Sequence, residues 1–355
     1  MKVAILGGGH GCYATAADLA RQGHEVRLWR RQAQRTPAYT IDVEDGQGAS
    51  TATVSLLTSD LAEAVADAAL IVLPTPAFAQ QDIARRLAPH LADGQVVFLP
   101  PGTFGSWVML KEVRQAGCTA DVAFCETGTL PYLARKHGEA RVRITSYATR
   151  LPTGVLPARL SEHAFEVLRQ AYPSVEPLED ALSGALMNAG PIIHPPLILM
   201  NAGPLEHFPA WDIHNEGTQP SIRAVTNALD LERIHVRETL GYGAPHFPLR
   251  DHYENDQWMY GDAHQRLVDS GDWREKIDLH AHRYMTEDVQ YGLAFLVSVA
   301  DWCGAQAPIA RGLLAIASGV CGRDLGQGPR ALATLGLAEL TPAQLRERLH
   351  SGAVA

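Results

Sequence analysis

Lysine is scarce in this 355-residue chain, which has only Lys2, Lys111, Lys136 and Lys276. Basic residues form no cluster larger than Arg30-Arg31, and 30 of them face 39 acidic residues for a net charge of −9. A surface built to grip nucleic acid or an anionic membrane needs the opposite balance, so neither is expected as a partner. Long apolar runs are also missing. A membrane-spanning helix needs roughly 18 or more apolar residues, and the best stretches, Leu70 to Ala79 and Pro191 to Met200, are short and broken by proline. The start, Met1 to Leu6, meets its glycines too soon for a signal peptide. The five cysteines lack metal-type spacing, which argues for reduced thiols and the cytoplasm.

What is present reads as globular. Hydrophobic residues make up 46% and charged residues 19%, which excludes a disordered or collagen-like chain. The length suits two domains. In the first half, β-like runs alternate with helical stretches: Lys2 to Leu6, Glu25 to Trp29, Ala69 to Leu73, Gln95 to Leu99, Asp121 to Cys125 and Val142 to Thr145. Such alternation implies βα units and a parallel sheet. Beyond about residue 178 strand-like runs nearly vanish, and Ala181 to Met187, Thr218 to Thr239, Asp262 to Val268, Glu287 to Cys303 and Ala307 to Ser318 look helical.

Between the first strand and the first helix stands Gly7-Gly8-Gly9-His10-Gly11-Cys12. Glycine permits the tight turn and lets backbone N–H groups approach a pyrophosphate, which the helix N-terminus then stabilises. Cys12 occupies the third fingerprint position, where Gly or Ala is usual. The expected fold is therefore α/β, with an N-terminal Rossmann-type doubly wound parallel sheet over residues 1–177. An all-α domain over residues 178–355 would carry the substrate chemistry. After the second strand the chain offers Trp29-Arg30-Arg31 and no acid before Asp42. Arginine is the residue that forks onto a 2′-phosphate, so NADP(H) is favoured over NAD(H). Pro74-Thr75-Pro76, Thr103 and Glu126 follow or end strands on the edge where cofactors bind.

In the second half, His194 sits in Asn188-Ala-Gly-Pro-Ile-Ile-His194-Pro-Pro. The following proline is expected to push His194 away from helical geometry, presenting an imidazole at a backbone break. Arg283-Tyr284-Met285-Thr286-Glu287-Asp288 leads into an apolar helix, with Thr286 reading as an N-cap followed by two acids. His280 and His282 find no matching third ligand, so no metal is expected.

Taken together, these residues resemble the octopine/nopaline (opine) dehydrogenase family over nearly the whole chain. The resemblance runs through Gly7 to Ala14, Pro74-Thr75-Pro76-Ala77, Glu126-Thr127 with Pro131-Tyr132 and Arg135, and Asn188 to Pro196. It continues through Glu216-Gly217, Asp230 with Glu232-Arg233, and Arg283 to Leu293. It implies a Rossmann domain followed by a helical one. It also implies that an α-amino acid condenses with an α-keto acid and that a nicotinamide cofactor reduces the imine to a secondary amine. The family's catalytic histidine and paired aspartate fall on His194 and Asp288. Arg283 is the choice for gripping a substrate carboxylate, with Asn188, Thr103 and His214 as further substrate residues. Two positions depart from the family pattern: Gly190 stands where asparagine is frequent, and His214 where tyrosine is frequent. Small-molecule amine and α-keto acid are the expected partners, with a homodimer left open. A ketopantoate-type 2-keto acid reductase would usually employ a lysine acid, and no lysine here resembles it. A catalytically silent NADP-binding sensor would have no reason to keep the His–Asp pair.

Overall fold

The strands of the first half are, in chain order, β1 (Lys2–Leu6), β2 (Glu25–Trp29), β3 (Thr36–Asp45), β4 (Gly48–Thr58), β5 (Leu70–Val72), β6 (Val96–Leu99), β7 (Ala123–Thr127), β8 (Tyr132–His137), β9 (Arg141–Tyr147), β10 (Leu151–Leu156) and β11 (Val175–Pro177). Between them lie α1 (His10–Arg21), α2 (Leu61–Val65), α3 (Ala77–Leu87), α4 (Gly105–Gln115) and α5 (Ser161–Ala171), and α6 (Ala181–Ala185) follows. The structure, a computed structural model, describes residues 1–271 and 273–354. It divides into one unit of residues 1–185 with 347–355 and a second of residues 186–346.

All eleven strands join one sheet in the order β11-β10-β7-β6-β5-β1-β2-β4-β3-β9-β8. From β7 through β5 and β1 to β2 and β4, every neighbouring pair is parallel. Strands β5, β6 and β7 are wholly buried, which is why they read as continuous apolar runs without alternation. This is the expected Rossmann-like sheet, with additions. β3 and β4 form an antiparallel hairpin, β8 and β9 form another, and β10 runs antiparallel to β7. Val142 to Thr145, expected as a member of a βα series, instead lies inside the second hairpin. Its connection to β8 is a short turn, and a parallel crossover needs a dozen residues or more.

The second unit contains α7 (Gly190–Met200), α8 (Ala202–His207), α9 (Pro220–Thr239), α10 (Arg250–Glu254) and α11 (Ala263–Asp269). A π-helical segment, Tyr284–Leu293, then runs directly into α12 (Ala294–Cys303), and α13 (Pro308–Cys321) follows. Among the described residues its strands are limited to a two-residue antiparallel pairing of Trp211–Asp212 with Arg274–Glu275. No described helix is long and apolar enough to cross a membrane.

His194 corrects the sequence expectation. It sits inside α7, followed in the same helix by Pro195 and Pro196. Each interior proline costs about 3 kcal/mol. Burial of Ile192, Leu197, Ile198 and Leu199 returns roughly 1.5–3 kcal/mol apiece. Packing therefore outweighs the local preference.

Candidate active site

In the second unit, α7 crosses the π-helical segment at close range. A Cβ placed on Gly292 would lie 2.1 Å from Pro191, and one on Gly190 would lie 2.3 Å from Asp288 Oδ1. Glycine at position 190 is thus the residue that lets the carboxylate of Asp288 reach α7. His194 then comes within 2.8 Å of it, Nδ1 donating to Asp288 Oδ2. Both side chains are largely buried, at 16% and 6% exposure. With Nδ1 donating to the carboxylate, Nε2 is the nitrogen without the proton in the neutral ring, since the bond made by one nitrogen sets the tautomer of the other.

Tyr284 stacks face to face on the His194 ring, with centroids 3.7 Å apart and planes 7° from parallel. Its hydroxyl hydrogen-bonds His214 Nε2 at 2.7 Å, and the His214 ring lies edge-on to His194 at 6.1 Å. Sequence reasoning gave Tyr284 no role. Its one signal was a place four residues before Asp288, a spacing that helical geometry keeps on the same face. Asn188 is buried and its Oδ1 accepts the Gly190 N–H at 3.0 Å. Arg283 is half-exposed at the start of the segment, with Nε 3.9 Å from Glu287 Oε2. Thr286 is no N-cap. It is the third residue of the segment, its hydroxyl donating to the His282 carbonyl at 3.3 Å.

Asp230, Glu232 and Arg233, part of the family-like pattern, are structural. Arg233 donates to Asp230 at 2.7 Å and to the carbonyls of Leu186 and His246. Asp230 also accepts the Leu249 N–H at 2.6 Å. Glu232 accepts the Ile309 and Ala310 N–H groups and so caps α13. A shallow pocket opens beside the Asp230–Arg233 pair, walled by Ala189, Ile192, Phe247, Trp258 and Met259 among others.

The first unit holds the glycine turn. Gly7 adopts φ +132°, and a Cβ there would sit 2.7 Å from Cys12 Sγ and 2.9 Å from Thr75. This packing explains how Cys12 fits the third fingerprint position. Burial pushes its thiol up to about 12, so it stays protonated. A Cβ on Gly11 would press on Leu130 and Pro74 at 3.1 and 3.2 Å, whereas in front of Gly9 nothing lies within 4 Å. α1 starts at His10 with no side-chain cap, and the buried Thr75 hydroxyl has no partner. An uncapped helix start, open space before a glycine and an orphaned hydroxyl fit a phosphate-bearing cofactor. Pro76 is the N-cap of α3.

The two arginines after β2 part company. Arg30 lies over the turn, its Nε 3.3 Å from a Cβ built on Gly8, and Nη1 donates to the Tyr13 hydroxyl at 2.8 Å. Arg31 is exposed and paired with Asp82 at 3.2 Å. Glu126 is fully buried. Its carboxylate accepts the Phe104 N–H at 2.7 Å, the Ser106 N–H at 3.2 Å and the Ser106 hydroxyl, at the start of α4. Thr103 is buried with a left-handed φ of +54°.

Comparison with known proteins points one way. The family described as NAD/NADP octopine/nopaline dehydrogenase, alpha-helical domain, matches residues 177–321. NAD-dependent glycerol-3-phosphate dehydrogenase N-terminus matches residues 2–101. An opine dehydrogenase of Arthrobacter sp. (strain 1C) is 28% identical, covering 98% of each chain. Octopine dehydrogenase solved with NADH and L-arginine superposes with a TM-score of 0.71 at 18% identity, over 99% of this chain and 98% of that one. Yersinopine dehydrogenase with NADP+ bound gives 0.64 at 17% identity, over 99% and 98%.

Proposed function

We propose that this chain, similar over nearly its whole length to an opine dehydrogenase and matching the octopine/nopaline dehydrogenase helical domain over residues 177–321, joins an α-amino acid or other amine to an α-keto acid, reducing the imine to a secondary amine. The observation that carries this reading is the His194–Asp288 pair, with Nε2 left over. An amine attacks a carbonyl only as the neutral base, so Nε2 takes a proton from the substrate ammonium. The C–N bond then forms, and His194 returns the proton to the carbinolamine oxygen, which leaves as water. The ring gains positive charge in between, and Asp288 stabilises it. Tyr284, stacked on the imidazole and tied to His214, holds the ring plane. Arg283, five residues before Asp288, grips a substrate carboxylate with its planar fork.

The glycine turn, with Arg30 above it and Thr75 beside it, holds the nicotinamide cofactor, whose hydride saturates the C=N bond. We take NADP(H) to be favoured, because Arg30 offers a guanidinium where NAD-specific sheets place an acid. Replacing Arg30 by methionine is expected to lower kcat/KM with NADPH relative to NADH by roughly 10- to 100-fold, the equivalent of 1.5–3 kcal/mol. Equal use of both cofactors by the unaltered enzyme would contradict that preference. The reaction itself is tested with a matrix of amines against keto acids. NADPH consumption is expected only when both are present. Full-rate consumption with a keto acid alone would instead favour a plain ketone reductase.

A further inference from the structure

The sheet brings a second cation to the glycine turn from a strand far away in sequence. Lys136 lies near the end of β8, and its backbone N–H donates to His10 Nδ1, at the first residue of α1, at 2.8 Å. Its ammonium sits over the Tyr13 ring, 4.0 Å from the centroid. Arg30 meets the same side chain, donating to the Tyr13 hydroxyl at 2.8 Å. One buried tyrosine of α1 therefore carries a lysine on its face and an arginine at its tip.

Neither cation makes an ion pair with any described residue, whereas the neighbouring Arg31 is paired with Asp82. Two like charges held close to one tyrosine repel each other. Burial and, after it, Arg30 push the Lys136 ammonium below its ordinary value, with Glu139 the nearby acid that opposes them. A polyanion between the two would relieve that repulsion and use donors that the protein leaves idle.

We propose that Lys136 is a specificity-determining residue that, with Arg30, clamps the 2′-phosphate of the cofactor. This deepens the reading of the glycine turn above and rests on it. A phosphate monoester offers three oxygens, enough to accept from the forked guanidinium and from the ammonium together. Two side chains from separate strands would thus share the discrimination that the fingerprint alone assigns to the end of β2.

The test is equilibrium binding to the full-length protein, by isothermal titration, of adenosine 2′,5′-bisphosphate and of 5′-AMP. The unaltered protein is expected to bind the bisphosphate at least tenfold more tightly. Lys136→Met should reduce that ratio by about tenfold while leaving the affinity for 5′-AMP within twofold, which also shows that the turn is intact. Lys136→Arg should keep most of the ratio. An unchanged ratio in Lys136→Met, or an equal loss for both ligands, would overturn the role of Lys136 while leaving the NADP reading in place. A ratio near one in the unaltered protein would instead overturn the 2′-phosphate site as a whole.

Discussion

A hydrogen bond at one ring nitrogen fixes an imidazole's tautomer and orientation, and Asp288 supplies that bond to His194. His194→Ala is expected to lower kcat by roughly 10²–10⁴, the usual loss for a general acid–base, while cofactor affinity stays unchanged in a binding titration. Asp288→Asn can still bond Nδ1 but through the wrong tautomer, so kcat should fall by roughly 10² or more. Near-normal turnover in either folded variant would remove that residue from the chemistry. At this scale the sequence was legible mainly through the family pattern. That pattern pointed to His194 and Asp288, yet the local argument about His194 failed because Pro195 follows it inside a buried helix. Arg30 and Arg31 could not be told apart, since Asp82, which pairs with Arg31, lies 51 residues away. Glu126 looked like a cleft residue because nothing local reveals that α4 starts against its carboxylate.

Among elements, the parallel core was the easy part, because β5, β6 and β7 bury both faces and leave unbroken apolar runs. The hairpin of β3 and β4 was missed although a tight two-residue turn, Gly46-Gln47, joins its strands. Its alternation is muted: Ala52 and Val54 are buried, but serines and threonines fill the outward positions. The π-helical segment had no sequence signature either. α9 and its neighbours give a pH prediction. His252, on α10, is pushed down to about 3 by burial, with His264 and Arg223 adding to the effect. In the unfolded chain it returns to about 6.5. The unfolded state therefore binds a proton that the folded state refuses between those values. Its contribution is whole above pH 6.5 and is lost as pH falls toward 3, by about 2 kcal/mol at pH 5. His252→Phe, which keeps an aromatic ring but cannot titrate, should narrow the difference in urea-unfolding free energy between pH 7.5 and pH 5 by about that amount. An equal difference in both proteins would count against it.

For the molecule as a whole, a net charge of −9 would oppose the acidic substrates and polyanionic cofactor of the proposed reaction. The positive charge is local: among the described residues Arg30 and Lys136 stand by the glycine turn without ion-pair partners, and Arg283 opens the segment that carries Asp288. On the proposed function, these cations would receive the anions in each unit. The central claim is that a new C–N bond joins two small acids, and isotope tracing reads it directly. An amino acid labelled with ¹⁵N is incubated with a keto acid and NADPH, and the product is weighed by mass spectrometry. The expected product retains the label and both carbon skeletons, with a mass equal to the two substrates less water plus two hydrogens. A hydroxy acid free of ¹⁵N, formed at the same rate whether or not the amine is present, would contradict it.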